Sequence, residues 1–221
     1  MTKSKKNNKY ISVLMFIGQH CTYCGPMMQV LTELMKAGEL SRLEIVNIEK
    51  DPERAAELSV RSVPWLQIGP FELVGARTKK ELQLWINRVS STEGMQAYLE
   101  EVLSEGNISS AKKLIEKDEQ ALLAVIRLMA DPEAKINVRL GVGVLIEDMA
   151  ESELFTAVIP LLLDYLSDAD ARIRGDACHY LSLTRNTDFI PQIEILLSDE
   201  SSEVREIAED SLEELNAIRG Q

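Results

Sequence analysis

Residues 11–26 read ISVLMFIGQHCTYCGP and join a short apolar run to two closely spaced cysteines. The run at 11–17 is apolar and β-branched at its start, a pattern typical of a strand buried on both faces. After the cysteines, apolar residues recur at spacings of three and four as far as Gly38, which predicts an amphipathic helix. Cys21 and Cys24 are therefore expected between a buried strand and a helix.

The first 90 residues predict a small α/β unit with the element order β-α-β-α-β-β-α. Asp51-Pro52 opens its second helix, because proline is tolerated in a first turn, and Gly69-Pro70 separates the last two strands. Thr78 is predicted to cap the final helix. The predicted strands are 11–17, 43–48, 63–68 and 71–74, and the second helix is predicted to end near 58. The apolar stripe of the final helix is predicted to consist of Leu82, either Leu84 or Trp85, Ile86 and Val89.

Charge divides the 221 residues unevenly. Residues 1–90 hold 13 basic and 9 acidic side chains, whereas the remainder holds 11 and 27, a net charge of −16. This contrast predicts two units, a first domain at 1–90 and a second at 91–221, joined by the polar stretch 90–94. The acidic second unit argues against a nucleic-acid partner, and no apolar run is long enough to predict a membrane span.

The amino terminus has some features of a signal peptide. Lys3, Lys5, Lys6 and Lys9 precede the apolar run at 10–18, but no small-x-small cleavage site follows. Cleavage there would also separate the cysteine pair from its supporting strand. A cytoplasmic protein is expected, with export as the alternative.

The second half repeats a helical pattern. Aliphatic-Arg pairs at Val138-Arg139, Ile173-Arg174 and Val204-Arg205 are spaced by 35 and 31 residues. Small or aliphatic residues follow four and eight positions later, and an acidic turn precedes each pair after an apolar helix. Neither helix of such a unit can bury its apolar face alone, so the units are expected to stack. The residues four positions later are Val142, Ala177 and Ala208, and those eight positions later are Ile146, Leu181 and Leu212. The acidic turns begin at Asp131, Asp168 and Asp199. The apolar helices before these turns are predicted at 122–130, 158–166 and 190–197.

A C-x-x-C pair between a strand and a helix suits thiol–disulfide exchange. The helix places Cys21 near its first turn, where unpaired N–H groups and the helix dipole stabilise a thiolate. Cys21 is then the exposed nucleophile and Cys24 the buried partner that resolves the mixed disulfide. Two inert buried thiols are an alternative, as is half of a zinc site completed by His20, Cys178 or His179. No metal is expected, because the last two lie about 155 residues away.

Residues 11–89 resemble the short form of the thioredoxin/glutaredoxin fold. Cys21-Thr-Tyr-Cys24, the following Gly25-Pro26, and the segment Arg61-Ser-Val63-Pro64 carry the resemblance. It implies a redox-active Cys21–Cys24 disulfide and a cis peptide bond at Pro64 facing the cysteine pair. It also implies that the backbone of Val63 pairs with a bound substrate strand.

This sequence departs from the family pattern at three points. Thr-Tyr between the cysteines is nearer the Pro-Tyr of glutaredoxins, and His20 stands where thioredoxins usually have Trp. Met15 occupies the strand position at which thioredoxins bury an aspartate, so proton removal from Cys24 needs another route. His20 either modulates Cys21 electrostatically or is a solvated loop residue.

Residues 95–217 resemble HEAT repeats, with 95–117 as an irregular helical pair at the start of the stack. Arg139, Arg174 and Arg205 are expected to pack against acidic turns of neighbouring repeats, with an anionic ligand as the alternative. Seven further side chains are expected to serve packing or surface roles. Cys178 and the methionines Met27, Met28 and Met35 are predicted core residues, and His179, Tyr165 and Tyr180 are predicted to be surface or packing residues.

The chain is thus predicted to be an α/β thioredoxin-like domain followed by an all-α HEAT-repeat solenoid. The implied activity is thiol–disulfide exchange with protein disulfides, without a cofactor, in which the repeats hold the protein substrate. The electron donor is expected to resemble thioredoxin reductase or to be glutathione, although no residue specifically supports glutathione. Two alternatives remain. One is a HEAT scaffold with a redox-sensing cysteine pair, and the weaker one is a bilin lyase of the HEAT type.

Overall fold

A computed structural model describes residues 10–89 and 91–220. The predicted lysine-rich segment before Tyr10, and Ser90 in the predicted joint, lie outside the described residues. The chain forms two compact units that divide between Met95 and Gln96. Each unit is built on different secondary structure and is described in turn.

The first unit has the predicted order of elements, β-α-β-α-β-β-α. Its four strands form one mixed sheet in the order β2-β1-β3-β4, in which β1 pairs with β2 in parallel and with β3 antiparallel. β4 pairs antiparallel with β3 through the turn at Gly69, whose φ of 58° favours glycine. The elements are β1 (Ser12–Ile17), α1 (Cys24–Lys36), β2 (Arg42–Asn47), α2 (Pro52–Glu57), β3 (Trp65–Ile68), β4 (Phe71–Val74) and α3 (Lys79–Arg88).

Both faces of the central strand β1 are buried. Phe16 joins Ala55, Val60 and Trp65 in a cluster, and the rings of Phe16 and Trp65 meet edge-on at 5.7 Å. Because side chains alternate along a strand, Met15 points to the opposite face, where it is fully buried. The continuous apolar run in the sequence thus reflects burial on two sides.

Helix ends in this unit follow the predicted capping residues. The Asp51 carboxylate accepts a hydrogen bond from the Arg54 amide, and Thr78 and Glu81 form a reciprocal capping box. Two predictions about apolar residues need correction. Leu84 is 47% exposed and Trp85 is buried instead, because only Trp85 points towards β4, where its ring meets Phe71 at 5.3 Å. Met35 is 41% exposed near the end of α1, whereas Met27 is buried as predicted.

The second unit is helical. Three helix–turn–helix repeats follow a shorter helical pair, and the helices that precede the second and third turns are led by 3₁₀ turns at Glu153–Ala157 and Thr187–Phe189. The helices are α4 (Thr92–Ser104), α5 (Ile108–Ile115), α6 (Glu119–Met129), α7 (Ile136–Met149), α8 (Ile159–Tyr165), α9 (Ala171–Ser182), α10 (Ile190–Glu194) and α11 (Ser202–Arg219).

The periodic positions predicted for the repeats are core positions. At 138, 173 and 204, and again four and eight residues later, every side chain is less than 10% exposed. The predicted apolar helix at 190–197 is not continuous, because it changes from α10 to a 3₁₀ turn at Ile195–Ser198. The predicted joint at 90–94 is also shorter than expected, since α4 begins at Thr92.

Among residues 10–89 and 91–220, no helix is both long and apolar enough to cross a lipid bilayer.

Candidate functional site

The loop after β1 carries the cysteine pair and passes close to a second loop. Gly18 begins it, and a Cβ on Gly18 would lie 3.1 Å from Val63 Cγ2 and 3.2 Å from Glu49 Oε1. A side chain at position 18 would therefore push these neighbours away. Glycine at this position lets the cysteine loop and the Val63 loop approach each other.

Cys21 and Cys24 form a disulfide with their Cα atoms 5.4 Å apart. Cys24 is the first residue of α1 and is 3% exposed, whereas Cys21 is half-buried. Cys21 lies in the turn directly before α1, near the first turn of the helix as predicted. Backbone hydrogen bonds hold this turn, from the Cys21 amide to the Gly18 carbonyl and from the Cys24 amide to the Cys21 carbonyl, each 3.3 Å long.

The charge around this helix start suits an anion. The first turn of α1 contains no acidic side chain, so only its backbone dipole acts on a group placed before it. Tyr23, between the cysteines, is 64% exposed, and His20 is also exposed. Both neighbours of the half-buried Cys21 in this loop are therefore solvent-exposed.

The Val63–Pro64 peptide bond is cis, and Pro64 is buried. The Pro64 carbonyl accepts a hydrogen bond from the Gly75 amide at 2.9 Å, which ties the loop to the end of β4. The Val63 side chain packs on the Phe16 cluster. Among the described residues, no hydrogen bond is made by the Val63 amide or carbonyl.

Glu49 is a site residue that sequence reasoning missed. Its Oε1 accepts a hydrogen bond from the Gln19 amide at 3.0 Å, and its own amide donates to Asn47 Oδ1 at 2.9 Å. Glu49 therefore braces the loop two residues before Cys21. No sequence signal could have identified it, because the two residues are 30 positions apart and belong to no shared motif.

Met15 leaves the buried side of this site without a carboxylate from β1. It is fully buried at the position where the family resemblance implies an aspartate. A neutral thioether neither accepts nor delivers a proton. Any proton transferred from Cys24 must therefore leave by another route.

In the second unit, Arg174 forms the most enclosed ion pair of the described residues. Its Nε and Nη2 donate to the two carboxylate oxygens of Asp199, each at 2.7 Å, and both side chains are at most 8% exposed. These hydrogen bonds hold the pKa of Asp199 below its ordinary value. Nη1 donates to the Asp168 and Ala169 carbonyls at 2.8 and 3.2 Å. Arg174 thus joins its own acidic turn to that of the next repeat, as predicted.

The other two arginines differ from this prediction. Arg205 donates to the Asp199 and Glu200 carbonyls at 2.6 and 3.1 Å, and Arg139 donates to the Pro132 carbonyl at 3.0 Å. Both thus bind backbone carbonyls in the turn of their own repeat. All three arginines thus donate hydrogen bonds to backbone carbonyls in the turn that precedes their own helix.

Cys178 is confirmed as a core residue. It is fully buried in α9, and its Sγ lies 3.7 Å from Ser211 Oγ. Burial raises the pKa of its thiol to about 11. Tyr180 is likewise buried and His179 is exposed, so these residues take the packing and surface roles predicted for them.

Within the described ranges, no group of three or more His, Cys, Asp or Glu side chains is arranged to hold a metal ion.

A redox-type fold carrying a cysteine pair, followed by a helical repeat array, defines the class of this protein. Family comparisons agree with both parts: residues 10–87 match the thioredoxin domain family and residues 119–213 match HEAT repeats. The chain therefore contains a thioredoxin domain followed by HEAT repeats. Comparison with curated protein sequences found no match.

Proposed function

We propose that the protein is a thiol–disulfide oxidoreductase that acts on protein disulfides, with Cys21 as nucleophile and Cys24 as resolving thiol. One observation carries the proposal. A half-buried Cys21 and a buried Cys24 lie at the start of α1, in a loop that packs on the Val63–Pro64 loop. This arrangement provides both a reactive sulfur and a backbone surface for a substrate.

The chemistry needs no group beyond the two thiols and a substrate. In the reduced enzyme the Cys21 thiolate attacks one sulfur of the substrate disulfide, forming an S–S bond to it, and the other substrate sulfur leaves as a thiolate that takes up a proton. Cys24, once deprotonated, attacks the Cys21 sulfur and releases the second substrate thiolate. The substrate gains two electrons and the enzyme is left with the Cys21–Cys24 disulfide.

The substrate segment is proposed to bind as an extended strand beside Val63. The amide and carbonyl of Val63 make no hydrogen bond among the described residues. A peptide that pairs with them adds backbone hydrogen bonds regardless of the peptide's side chains. Such binding suits an enzyme that accepts several protein disulfides. Glu49 contributes indirectly, because it holds the cysteine loop against this surface.

The HEAT repeats are proposed to hold the protein substrate. A stack of helical pairs presents an extended surface, which suits recognition of a folded partner better than of a small disulfide. The cytosol is the proposed compartment, where a dithiol donor of the thioredoxin-reductase type or glutathione would regenerate the reduced pair. The competing function is a HEAT scaffold in which the disulfide only senses the redox state.

The reduction potential of the Cys21–Cys24 pair tests the oxidoreductase proposal, and because a redox sensor also needs a reversible disulfide, turnover of a protein disulfide by the cysteine variants separates the two functions. Equilibration in defined thiol–disulfide buffers, followed by alkylation, is expected to give a reversible value of roughly −200 to −270 mV, the range of glutaredoxins and thioredoxins. A pair that never forms a disulfide, or that stays oxidised at all accessible potentials, would refute the oxidoreductase proposal.

Three variants assign the roles. Cys21→Ser should abolish reduction of insulin disulfides, and Cys24→Ser should accumulate mixed disulfides because the resolving thiol is missing. The matched control is Cys178→Ala, which removes a buried thiol and should leave turnover unchanged. Full activity in Cys21→Ser would show that the roles are assigned wrongly.

A further inference from the structure

One face of α7 is apolar and exposed. Ile136, Leu140 and Val144 are spaced by four residues, so they align along one side of the helix, and they are 72%, 65% and 47% exposed. The opposite side carries the buried Val138 and Val142 of the core. The helix is thus apolar on two sides, and only one of them is covered.

A cavity of about 420 Å³ opens beside this stripe. Its lining includes the three stripe residues and reaches Tyr180 on α9, while Gly143 contributes no side chain and would carry a Cβ 3.6 Å from Tyr180 Oη. The two cations in the lining have protein acceptors for part of each guanidinium, while Arg139 Nε and Arg172 Nη2 are buried and have no hydrogen-bond partner among the described residues. Arg172 donates to Asp176 and to the Met129 carbonyl, and Arg139 donates to the Pro132 carbonyl. The exposed side chains along this cavity are the three apolar ones of the stripe and the carboxylate of Glu147.

A second cavity of about 260 Å³ lies between α9 and α11 and is acidic. Asp176 lines both cavities, and Asp210 and Glu214 add two more carboxylates to the second. Asp210 and Glu214 are one helical turn apart, so they repel each other, and neither forms an ion pair with another described residue. A cation placed between them would relieve this repulsion.

The two cavities share Asp176, and the surface that they line is here called the α7–α11 groove, defined by Ile136, Leu140, Val144, Asp176, Asp210 and Glu214. It is apolar at the α7 end and acidic at the α11 end. The complementary ligand has apolar side chains at one end and Lys or Arg at the other. A second copy of this unit would bring another −16 of charge from residues 91–221, so charge favours a basic partner.

We propose that the α7–α11 groove binds a basic amphipathic helix of a protein partner. The proposal rests on the protein-holding role proposed above for the repeats, but not on the activity of the cysteine pair. Apolar side chains of the partner helix pack on Leu140 and its neighbours and fill the first cavity. Its basic residues pair with Asp210 and Glu214, which fixes the direction of the helix along the groove.

The test measures binding of two labelled peptides to the full chain by fluorescence anisotropy. Both are helical, about 18 residues or five turns long, with the same leucine face. One carries lysines on its polar face at one end and the other carries glutamates there. The lysine peptide is expected to bind at least about tenfold more tightly, and its affinity should fall between about 50 and about 200 mM salt.

Groove variants locate the binding. Leu140→Asp is expected to weaken the lysine peptide about tenfold or more, and the Asp210→Asn, Glu214→Gln pair about threefold to tenfold at low salt. The matched control is Ile195→Asp, which changes a side chain that is 73% exposed and lines neither cavity. It should leave the affinity within about twofold. Circular dichroism of each variant shows whether the repeats remain folded.

Three outcomes would overturn the proposal. They are equal binding of the two peptides, equal losses in Leu140→Asp and Ile195→Asp, or self-association in sedimentation that Leu140→Asp abolishes, which would make the stripe a contact between copies. Peptide binding by Cys21→Ser separates this proposal from the enzymatic one. Binding that persists in Cys21→Ser without turnover supports the groove, whereas turnover in wild type without peptide binding removes the groove alone.

Discussion

The two units place the same residue type in opposite surroundings. Cys21 lies in a turn before a helix and is half-buried, whereas Cys178 lies within α9 and is fully buried beside Ser211. The first arrangement leaves a sulfur accessible next to unpaired helix N–H groups. The buried position of Cys178 disfavours its thiolate and shields its sulfur from reagents. The difference shows that position in the fold, rather than the residue, decides which thiol can react.

Two ion pairs, one in each unit, differ in burial in the same way as the two cysteines. In the first unit Lys79 and Glu33 pair at 3.0 Å while both side chains remain about half exposed. In the second unit Arg174 and Asp199 pair where almost no solvent reaches them. Burial therefore differs between these two ion pairs as it does between Cys21 and Cys178. Four predictions test this contrast.

The largest expected effect is on thiol reactivity. At about pH 8, a thiol with a pKa of about 11 is roughly one-thousandth ionised, so Cys178 should react with iodoacetamide more than about a hundredfold more slowly than Cys21 in the reduced native protein. Mass spectrometry of timed samples measures both rates. All three cysteines should react alike in urea, and comparable native rates would contradict the burial of Cys178.

The next effect is on the stability of the repeats. Asp199→Ala leaves the buried Arg174 guanidinium without its carboxylate and should lower the free energy of unfolding by about 3 kcal/mol. Asp168→Ala is the matched control, because Asp168 occupies the same place in the preceding repeat but accepts a hydrogen bond only from the Asp170 amide among the described residues. It should cost about 1 kcal/mol. Urea unfolding followed by circular dichroism gives both values, and equal losses would show that the pair adds nothing.

This ion pair also implies a pH dependence. The pKa of Asp199 is held below its ordinary value of 3.8 by the hydrogen bonds from Arg174. The pair therefore contributes its full stability above about pH 4 and loses it as the pH falls through the lower folded-state pKa. The difference in unfolding free energy between wild type and Asp199→Ala should accordingly narrow below pH 4.

The smallest effect is expected at the exposed pair of the first unit. Lys79→Gln removes the ion pair to Glu33, but water already solvates both groups, so the free energy of unfolding should change by less than about 1 kcal/mol. Added salt should reduce even this difference. A loss as large as that of Asp199→Ala would mean that exposure does not separate the two kinds of pair.

Patterns that depend on neighbouring residues were predictable. The alternation and capping signals of the first 90 residues predicted every strand and helix of the sheet unit, because each element is specified by its own residues. The repeated aliphatic-Arg pairs predicted the buried positions of α7, α9 and α11. The sequence left open whether Leu84 or Trp85 is buried, because both residues fit the apolar stripe of α3. Trp85 is the buried one because its ring packs on Phe71 of β4.

Contacts between distant residues were not predictable. Glu49 braces the cysteine loop across 30 positions, and Arg174 reaches Asp199 across 25 while Arg139 finds no equivalent carboxylate. The three arginines occupy the same place in their repeats. Whether an arginine has a carboxylate partner therefore depends on where the acidic turn of the following repeat lies in the folded protein.

By itself, the sequence determined the two architectures, the cysteine pair at the strand–helix junction and the helical repeat, since local periodicity and turn chemistry specify them. Only the tertiary structure decided which side chains meet there. It brings Gly18 against Val63, and it places the apolar stripe of α7 and the carboxylates of α11 beside two cavities that share Asp176. Such contacts depend on how elements pack, and packing is a property of the whole chain that no single segment carries.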